Sequence, residues 1–504
     1  MADKSFIIDE ITWNDLDLDE IYKKLNTAKS SVGKEYLKRE LKTLLFDIDK
    51  LKARNKKINY FKDNEEKKKK TEKIFSKLSV LKKYDFLDYI YKLKEVPEMN
   101  NAVHIILGIL LIIAIVLIFF KPVVGVIAIV VMIAVNIMTY FKGKAKIEAY
   151  FLCVKYLVAM DVAAKKILAE NCLDSEIFKE EISNLNQSVK VFASLKNGSW
   201  LLTNSVSGSL ADVVMDYIRM FFHLDLMKFN SMRKTAMENE EQIKVLYDSL
   251  GEIEAAIAIS EYRKKVNYTE PIFYSAEQIK EKDLNSSKTL IAEELNHPLL
   301  EIGVTNTIKA EKSVLLTGAN ASGKSTFLKA LAINQIFAQT LYMTLSERFV
   351  TTFMKVITSM ALTDNILGKE SYFVVEIKSL KRIFDELGEI PVLCFIDEVL
   401  RGTNTIERIS ASSEILKNLS EKNALVFAAT HDIELTELLK DQMLNFHFSE
   451  TVDGNNVLFD YKLKEGPSNS SNAISLLKSY GFSDDIIENA TRRSDNFKRN
   501  GVWQ

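Results

Sequence analysis

Two adjacent apolar stretches in the first third of this 504-residue chain restrict its fold more than any other feature. Residues 102–120 are apolar except for His104, and residues 123–141 are apolar except for Asn136 and Thr139. A helix of this length, at about 1.5 Å per residue, spans roughly the 30 Å hydrocarbon thickness of a bilayer. The two stretches therefore predict a hairpin of two transmembrane helices, 102–120 and 123–141.

The charges around this hairpin predict its orientation. The short connection contains a single lysine, Lys121, whereas both outer flanks are rich in lysine: Lys82, Lys83, Lys92, Lys94, Lys142, Lys144 and Lys146. Because positive loops stay on the cytoplasmic side, we expect a multi-pass membrane protein whose two soluble parts both face the cytoplasm. The polar N-terminus lacks the apolar region of a secretory signal. The alternative is a hairpin buried in a soluble protein, which would need an unusually large partner surface.

Charge and cysteine usage exclude several functional classes. The formal net charge is -1, so the molecule as a whole is not a polycation built for nucleic acid, and any DNA contact needs a local patch. Cys153, Cys172 and Cys394 lie far apart without C-x-x-C spacing. This pattern speaks against a disulfide framework or a zinc site and fits a reducing compartment.

Periodicity divides the rest of the chain into helical and mixed regions. Residues 1–100 and 142–285 have apolar residues three and four apart, which predicts helices, including one long rod over 210–266. From residue 286 to 504, short β-branched runs alternate with helical patterns, which predicts an α/β nucleotide-binding domain. The predicted strands are 313–317, 355–359, 372–377, 392–396 and 424–429, followed by a hairpin over 443–448 and 457–463.

A phosphate-binding loop follows the first of these strands. Residues 317–326 read Thr-Gly-Ala-Asn-Ala-Ser-Gly-Lys-Ser-Thr and lead into a helical pattern, which is a complete Walker A motif in its strand, loop and helix context. Gly318 and Gly323 permit backbone angles that turn N–H groups toward phosphate oxygens. We expect Lys324 to reach the β- and γ-phosphates and Ser325 to bind Mg²⁺.

Two later strands end in residues suited to hydrolysis. The strand 392–396 is followed by Asp397 and Glu398, the order expected when Asp holds the Mg²⁺ shell and Glu polarises the attacking water. The strand 424–429 is followed by Thr430 and His431. An isolated histidine at a strand end is more often structural, but its place in this ordered set makes His431 a candidate γ-phosphate sensor.

Together these residues resemble the MutS family of DNA mismatch-repair ATPases. The likeness lies in the phosphate loop with Asn320, in Asp397-Glu398 followed by residues 401–405 (Arg-Gly-Thr-Asn-Thr), and in Thr430-His431. It extends to residues 371–376 (Ser-Tyr-Phe-Val-Val-Glu), to His297-Pro298 and, more weakly, to residues 12–16. The implied fold is an α/β P-loop NTPase domain of the ABC/MutS type, joined to an all-α core and lever region that the transmembrane hairpin interrupts.

The resemblance also implies a set of site residues. Glu398, His431 and Lys324 would be catalytic, and Ser325 and Asp397 would hold Mg²⁺. ATP would contact Gly318, Asn320, Ser322, Gly323, Lys324, Ser325 and Thr326, and Ser371 would reach the partner's γ-phosphate in a composite homodimer. The sequence departs from the family pattern where Ala319 replaces a proline, Leu400 a glycine and Glu370 an arginine.

Two functions follow from this combination and stay open at the level of sequence. The first is a membrane-tethered MutS-like ATPase that couples ATP hydrolysis to a conformational change on mismatched or branched DNA. The second is a mechanochemical or signalling ATPase that acts on a membrane partner without DNA. We expect no mismatch-recognition domain in this chain, since core-like sequence begins almost at residue 1.

Overall fold

A computed structural model describes residues 5–78, 80–81, 86–96, 100–193, 210–274, 288–319, 321–360, 372–453, 456–468, 474, 477 and 481–500. The chain forms two compact units that are interleaved in sequence. Unit 1 comprises Met1–Leu25, Arg39–Asn55 and Tyr262–Gln504, and unit 2 comprises Asn26–Lys38 and Lys56–Glu261.

The helices begin and end at the following residues. They are α1 Glu10–Asp15, α2 Leu18–Leu25, α3 Ser31–Lys42, α4 Ile48–Asp63, α5 Glu65–Phe75, α6 Phe86–Tyr91, α7 Asn101–Phe120, α8 Pro122–Ala169, α9 Lys179–Val191, α10 Leu210–Phe222, α11 Leu224–Glu238, α12 Glu240–Arg263, α13 Lys324–Thr340, α14 Tyr372–Asp385, α15 Thr405–Glu421, α16 Glu434–Leu438 and α17 Asp484–Asn500. A short 3₁₀ helix, Lys92–Glu95, follows α6.

The strands lie in unit 1. They are β1 Ser5–Ile7, β2 Thr43–Leu45, β3 Ile272–Phe273, β4 Leu290–Leu295, β5 Asn306–Ala310, β6 Ser313–Thr317, β7 Arg348–Thr351, β8 Lys355–Ser359, β9 Val392–Asp397, β10 Ala424–Ala429, β11 Met443–Asp453 and β12 Asn456–Glu465.

The main sheet of unit 1 has the strand order β12-β11-β6-β10-β9-β8. Its strands pair in parallel from β8 to β11, and β12 pairs with β11 antiparallel. Strands β6 and β10 are buried along their whole length, as expected for a parallel sheet covered on both faces. Because β6, β9 and β10 are adjacent and parallel, the residues that follow their carboxyl ends meet at one edge of the sheet.

A second sheet of unit 1 has the order β3-β7-β4-β5. Residues of the loop after β4, among them Leu300 and Val304, line the same cleft as Lys324, which begins the helix that follows β6. The strands predicted at 313–317, 355–359, 392–396 and 424–429 and the late hairpin are all present.

Residues 372–377 form the start of α14, so the strand predicted there is wrong. Three β-branched residues, Val374, Val375 and Ile377, suggested the strand. However, the buried positions of this segment, Glu376, Ser379, Leu380 and Ile383, recur three and four residues apart. Packing against the sheet core favours the helix over the local preference of the β-branched side chains.

The first helix of the chain packs on the free edge of the main sheet. The Asp15 carboxylate accepts hydrogen bonds from Thr358 Oγ1 at 2.7 Å and from the Met360 amide at 2.9 Å, and Thr12 Oγ1 accepts from the Thr358 amide at 3.2 Å. Two backbone amides at the exposed edge of β8, those of Thr358 and Met360, thereby gain hydrogen-bond acceptors. The contacts explain why residues 1–25 belong to unit 1. The two units divide the chain in a different way from the domains predicted over 1–100, 142–285 and 286–504, and that division stays a prediction.

The two apolar stretches of unit 2 form the helices α7 and α8. They are joined at Lys121, and the chain turns so tightly that a Cβ added at Gly125 would lie 2.6 Å from the Ile118 amide nitrogen. Both helices are long and apolar enough to cross a membrane by length and composition. Most of their side chains point outward; Ile113 is 54% exposed and Val130 is 63% exposed.

The second helix of the hairpin continues well beyond the predicted membrane span. It has 48 residues, so the predicted boundary at 141 lies inside a continuous helix. Conversely, the predicted rod over 210–266 is divided into α10, α11 and α12. The first division is at His223, which has a φ of 53° that ends α10 and begins α11. Sequence periodicity does not reveal such a break, because the apolar spacing continues across it.

Candidate functional site

The loop between β6 and α13 has the conformation of an anion cradle. Gly318 and Gly323 have φ angles of 137° and 108°, and Ala321 has a φ of 64°. A Cβ at Gly318 would lie 2.5 Å from the carbonyl oxygen of Phe448, so a larger residue would be excluded there. Residues in this region of φ turn successive amides inward, and Gly323 ends the loop where α13 begins with Lys324.

Lys324 is folded back onto this loop. Its side chain is almost fully buried, and Nζ donates to the carbonyl oxygens of Gly318 at 2.7 Å and Ala319 at 2.9 Å. Burial lowers the pKa of Lys324, while the neighbouring carboxylates of Asp397 and Glu398 oppose this shift. The ammonium group therefore lies at the centre of the cradle, where phosphate oxygens could replace the two carbonyls.

The oxygens predicted to hold a metal ion lie side by side. Ser325 Oγ donates to Asp397 Oδ2 at 2.5 Å, which joins the first turn of α13 to the end of β9. The hydroxyl of Ser322, in the same loop, is buried and has no hydrogen-bond partner within the described residues. Hard oxygen donors in a small number are suited to Mg²⁺, which takes its remaining ligands from water and phosphate. Ser325 and Asp397 thus fit a magnesium site.

Glu398 is held from two sides. His431 Nε2 lies 3.1 Å from one carboxylate oxygen, and Arg401 Nε pairs with the other. Partial burial alone would raise the pKa of the Glu398 carboxyl, but the hydrogen bonds from His431 and Arg401 outweigh it and lower the pKa. The carboxylate is consequently kept anionic, which is the form that can orient and deprotonate water.

Arg401 and Glu376 are two further residues of the site, and no motif in the sequence predicts a role for either of them. Glu376 is 2% exposed and accepts a hydrogen bond from the Leu400 amide at 2.6 Å and one from the Arg401 amide at 3.3 Å. Glu398 and Leu400 have φ angles of 56° and 60°, so the loop after β9 is strained. The buried carboxylate on α14 holds this loop in the conformation that brings Arg401 to Glu398.

We expect Glu376→Ala to lower the turnover number with little effect on nucleotide affinity. The change leaves the buried Leu400 amide without its acceptor, which costs about 1–3 kcal/mol, and releases the strained loop that carries Glu398. Turnover and nucleotide binding measured on the same preparation test this. Glu376→Gln, whose amide oxygen can still accept, should recover part of the rate, and equal rates for both variants and the parent would contradict the role.

A cleft of about 390 Å³ connects these groups to an apolar wall. Its lining includes Lys324, Ser325, Asp397 and Glu398, together with the loop after β4 and β12. The wall is formed by Leu300, Ile302, Val304 and Tyr461. Ile302 is 98% exposed and Tyr461 has a φ of 53°, with its ring against Gly323. An exposed apolar wall beside a polar cradle can accommodate a flat ring at one end and phosphates at the other.

His297 lies at the base of the apolar wall and is buried as a neutral imidazole. Burial lowers its pKa to about 4, and its Nδ1 accepts from the Leu299 amide at 3.2 Å. The unfolded chain binds a proton near pH 6.5, so protons favour the unfolded state between about pH 6.5 and about pH 4. His297 therefore lowers the free energy of unfolding as the pH falls from about 6.5 to about 4.

We expect His297→Asn to reduce the acid sensitivity of the fold. The asparagine oxygen can replace Nδ1 as acceptor, and the full linkage contribution of the histidine is on the order of 3 kcal/mol. Thermal unfolding at several pH values between 7 and 5 measures the effect. The variant and parent should agree near pH 7 and diverge below pH 6.5, and parallel curves would contradict the prediction.

The structure brings together most of the predicted site residues. Gly318, Ser322, Gly323, Lys324, Ser325, Thr326, Asp397, Glu398 and His431 lie at the carboxyl edge of β6, β9 and β10. Two predicted ligands, Asn320 and Ser371, lie outside the described residues. The three cysteines are buried thiols, and no group of three His, Cys, Asp or Glu suited to a metal exists in the part of the chain that the structure describes.

Comparison with known proteins gives a consistent result for this region. Residues 314–498 match the family model of MutS domain V. The DNA mismatch repair protein MutS of Thermotoga maritima is 28% identical over 283 residues, which is 54% of this chain and 34% of that protein. The corresponding protein of Finegoldia magna is 26% identical over 332 residues, 62% of this chain and 37% of that protein. The chain thus spans about a third of the length of these curated relatives.

Proposed function

Because it carries a MutS domain V, this chain is a member of the MutS family, and we propose that it is a membrane-tethered ATPase. It binds and hydrolyses ATP with Mg²⁺ and couples the nucleotide state to a conformational change. The observation that supports this function best is the convergence of Lys324, Ser325, Asp397, Glu398 and His431 at one edge of the sheet, around one cleft.

Each residue of the cleft has a role in this proposal. The loop amides and Lys324 bind the phosphates, and Ser325 and Asp397 hold the metal, which when bound supplies positive charge next to the β- and γ-phosphates. Glu398 orients the attacking water and accepts its proton, while His431 keeps the carboxylate in place. Leu300, Ile302, Val304 and Tyr461 form the wall on which the adenine ring packs.

We further propose that the active site is completed by a second copy of the chain. By family resemblance, Ser371 of one subunit reaches the γ-phosphate bound by the other, as an ABC signature does. The partial exposure of Arg401 and of His431, at 45% and 37% of their side chains, is compatible with a partner closing over this edge. A homodimer with two composite sites follows from this arrangement.

The hairpin of α7 and α8 serves in this proposal as the membrane anchor. Its outward side chains are apolar on nearly every turn, and burying them in lipid removes a large apolar surface from water. Lys142 and Lys146, which are exposed just after the predicted span, are placed to remain among the lipid headgroups. Both soluble parts then face the cytoplasm.

DNA is the first candidate for the ligand that the ATPase responds to. The relatives in the comparison are named DNA mismatch repair proteins, so mismatched or branched duplexes are the substrates to test first. The second candidate is a membrane partner, and one observation favours it. The helix α8 runs without interruption from the predicted span to Ala169, so motion of the helical unit and motion in the bilayer are mechanically linked.

The two candidates are separated by measuring ATP turnover of the detergent-solubilised chain. Homoduplex, mismatched duplex and four-way-junction DNA are compared, and Lys324→Ala provides the blank. Stimulation by one class of DNA supports a membrane-anchored DNA sensor. Turnover that ignores all DNA but changes with lipid supports the membrane-partner function, and turnover no higher than the blank would refute the proposed ATPase.

A further inference from the structure

The strand β12 has an irregular segment where it passes the phosphate loop. Phe448 of β11 is paired with Leu463 of β12. The next pair along the hairpin is Glu450 with Phe459, so β12 has more residues in this interval than β11 has. Such a bulge interrupts the pairing of two strands and can turn a side chain toward an adjacent site. Tyr461 lies at the centre of the bulge.

Tyr461 has a backbone conformation that a tyrosine rarely adopts. Its φ is 53°, in the left-handed region, although the residue belongs to a strand. A bulky side chain is unfavourable in this region, so neighbouring contacts must hold the backbone there. In this conformation the ring lies against the phosphate loop, because a Cβ added at Gly323 would be 3.3 Å from Cδ1 of Tyr461. The ring thus borders the cleft that contains Lys324.

The side chain of Asn306 supplies contacts of this kind. Asn306 is the first residue of β5 and is 8% exposed. Its Nδ2 donates to the carbonyl oxygen of Tyr461 at 3.0 Å, and its Oδ1 accepts from the amide of Leu463 at 2.7 Å. A carboxamide has both a donor and an acceptor, as a peptide group has. Asn306 therefore pairs with the bulge as a residue of a neighbouring strand would.

The polar atoms of Asn306 are directed to the backbone, although the residue borders the cleft. Besides its bond to Tyr461, Nδ2 donates to the carbonyl oxygen of Val304 at 3.4 Å. The two hydrogens of Nδ2 thus have backbone acceptors on both parts of the apolar wall, the loop after β4 and β12. Asn306 consequently acts on a bound ligand through the position of the Tyr461 ring and not by a polar contact of its own.

A second contact beside the bulge is weaker. Lys462 Nζ donates to the carbonyl oxygen of Thr305 at 2.8 Å. Lys462 is exposed, whereas Asn306 is buried, and a hydrogen bond is electrostatically stronger where water is excluded. Asn306 is therefore the main constraint on the bulge among these contacts.

We propose that Asn306 is a positioning residue of the nucleotide site, whose carboxamide holds the bulge so that the Tyr461 ring is placed where the nucleobase packs. This inference rests on the proposed nucleotide site. A ring that is already in place needs no reordering when the base binds, so the affinity is higher. Without Asn306, Tyr461 can return to an extended conformation, and its ring then leaves Gly323.

The test compares a nucleotide with its phosphate part alone. Binding of ADP and of pyrophosphate, each with Mg²⁺, to the detergent-solubilised full-length chain is measured by calorimetry for the parent, Asn306→Ala and Asn306→Asp. Aspartate keeps the acceptor for the Leu463 amide and lacks the donor for the Tyr461 carbonyl. Tyr461→Gly provides a background without the ring, since glycine adopts a positive φ at no steric cost.

We expect Asn306→Ala to bind ADP about tenfold more weakly, which is the scale of one stacked base, and to bind pyrophosphate as the parent does. The ADP affinity of Asn306→Asp should lie between those of the parent and the alanine variant. In the Tyr461→Gly background, the further change Asn306→Ala should leave the ADP affinity unchanged, because the ring that Asn306 positions is absent.

Equal ADP affinities of the parent and Asn306→Ala would overturn the inference and leave the nucleotide site intact. An equal loss of ADP and pyrophosphate affinity would also overturn it, because Asn306 would then support the phosphate loop and not the ring. The same holds for an effect that persists in the Tyr461→Gly background. If Asn306→Ala does not fold, the comparison on Asn306→Asp decides in the same way. A parent that binds ADP no better than Lys324→Ala would refute the nucleotide site and the inference together.

Discussion

Glu398→Gln should abolish steady-state ATP turnover, by roughly 10²- to 10⁴-fold, while nucleotide stays bound. Glutamine keeps the shape of the side chain and can still contact His431 and Arg401, so the loop after β9 is preserved. It cannot accept a proton from the attacking water. The cradle of residues 318–325 is untouched, and so the affinity for ATP should be close to that of the parent.

Two comparisons make this result specific. Lys324→Ala removes a buried ammonium at the cradle, where charge-assisted hydrogen bonds to phosphate contribute about 1.5–3 kcal/mol each, and should therefore weaken ATP binding itself. The Glu398 variant should instead retain ATP through gel filtration or filter binding while releasing no phosphate. If Glu398→Gln hydrolyses ATP as fast as the parent, Glu398 is not the general base.

The pH profile gives an independent check on the same carboxylate. Because the hydrogen bonds of His431 and Arg401 lower the pKa of Glu398, the base stays ionised below the usual range of a glutamic acid. Its contribution to turnover is then present at neutral pH and is lost only as the pH falls through that lowered value. Arg401→Ala, which removes one of the two hydrogen bonds, should move the acidic limb of the profile to higher pH.

Placing two arginines in α7 should release the protein from membranes. Ile109 and Ile113 are 49% and 54% exposed near the middle of the first predicted span. A charged residue at the centre of a transmembrane helix costs about 2.5–3.5 kcal/mol, so the double change Ile109→Arg and Ile113→Arg opposes insertion by about 6 kcal/mol, or roughly 10⁴-fold in partition. Flotation and alkaline extraction measure the membrane-bound fraction.

The matched control carries the same substitution at an exposed isoleucine of unit 1. Ile406, which is 80% exposed, tolerates arginine without any bilayer cost, and Ile406→Arg should fractionate with the membrane like the parent. The double variant should appear in the soluble or aggregated fraction. A parent protein that remains soluble without detergent, or a double variant that still floats with lipid, would contradict the anchor.

Local chemistry determined the parts of the site that sequence could predict. The glycines of the phosphate loop permit the positive φ angles at 318 and 323, and the buried strands before Asp397 and Thr430 read as continuous apolar runs. Such signals depend on a few neighbouring residues, so a motif and its strand can be read together. For the same reason the apolar stretches of α7 and the beginning of α8 were predicted as helices.

Only the tertiary structure decided which distant groups meet. The role of Glu376 depends on α14 packing beside the loop after β9, and that packing also converted an apparent strand into a helix. Asp15 accepts a hydrogen bond from Thr358 of β8, which lies more than 300 residues later in the sequence. The rings of His104 and His223 are in hydrogen-bond contact although more than 100 residues separate them. Neighbouring residues determine the local backbone preference and the chemistry of a motif. Where that preference allows more than one conformation, burial and hydrogen bonds between segments distant in sequence select one of them.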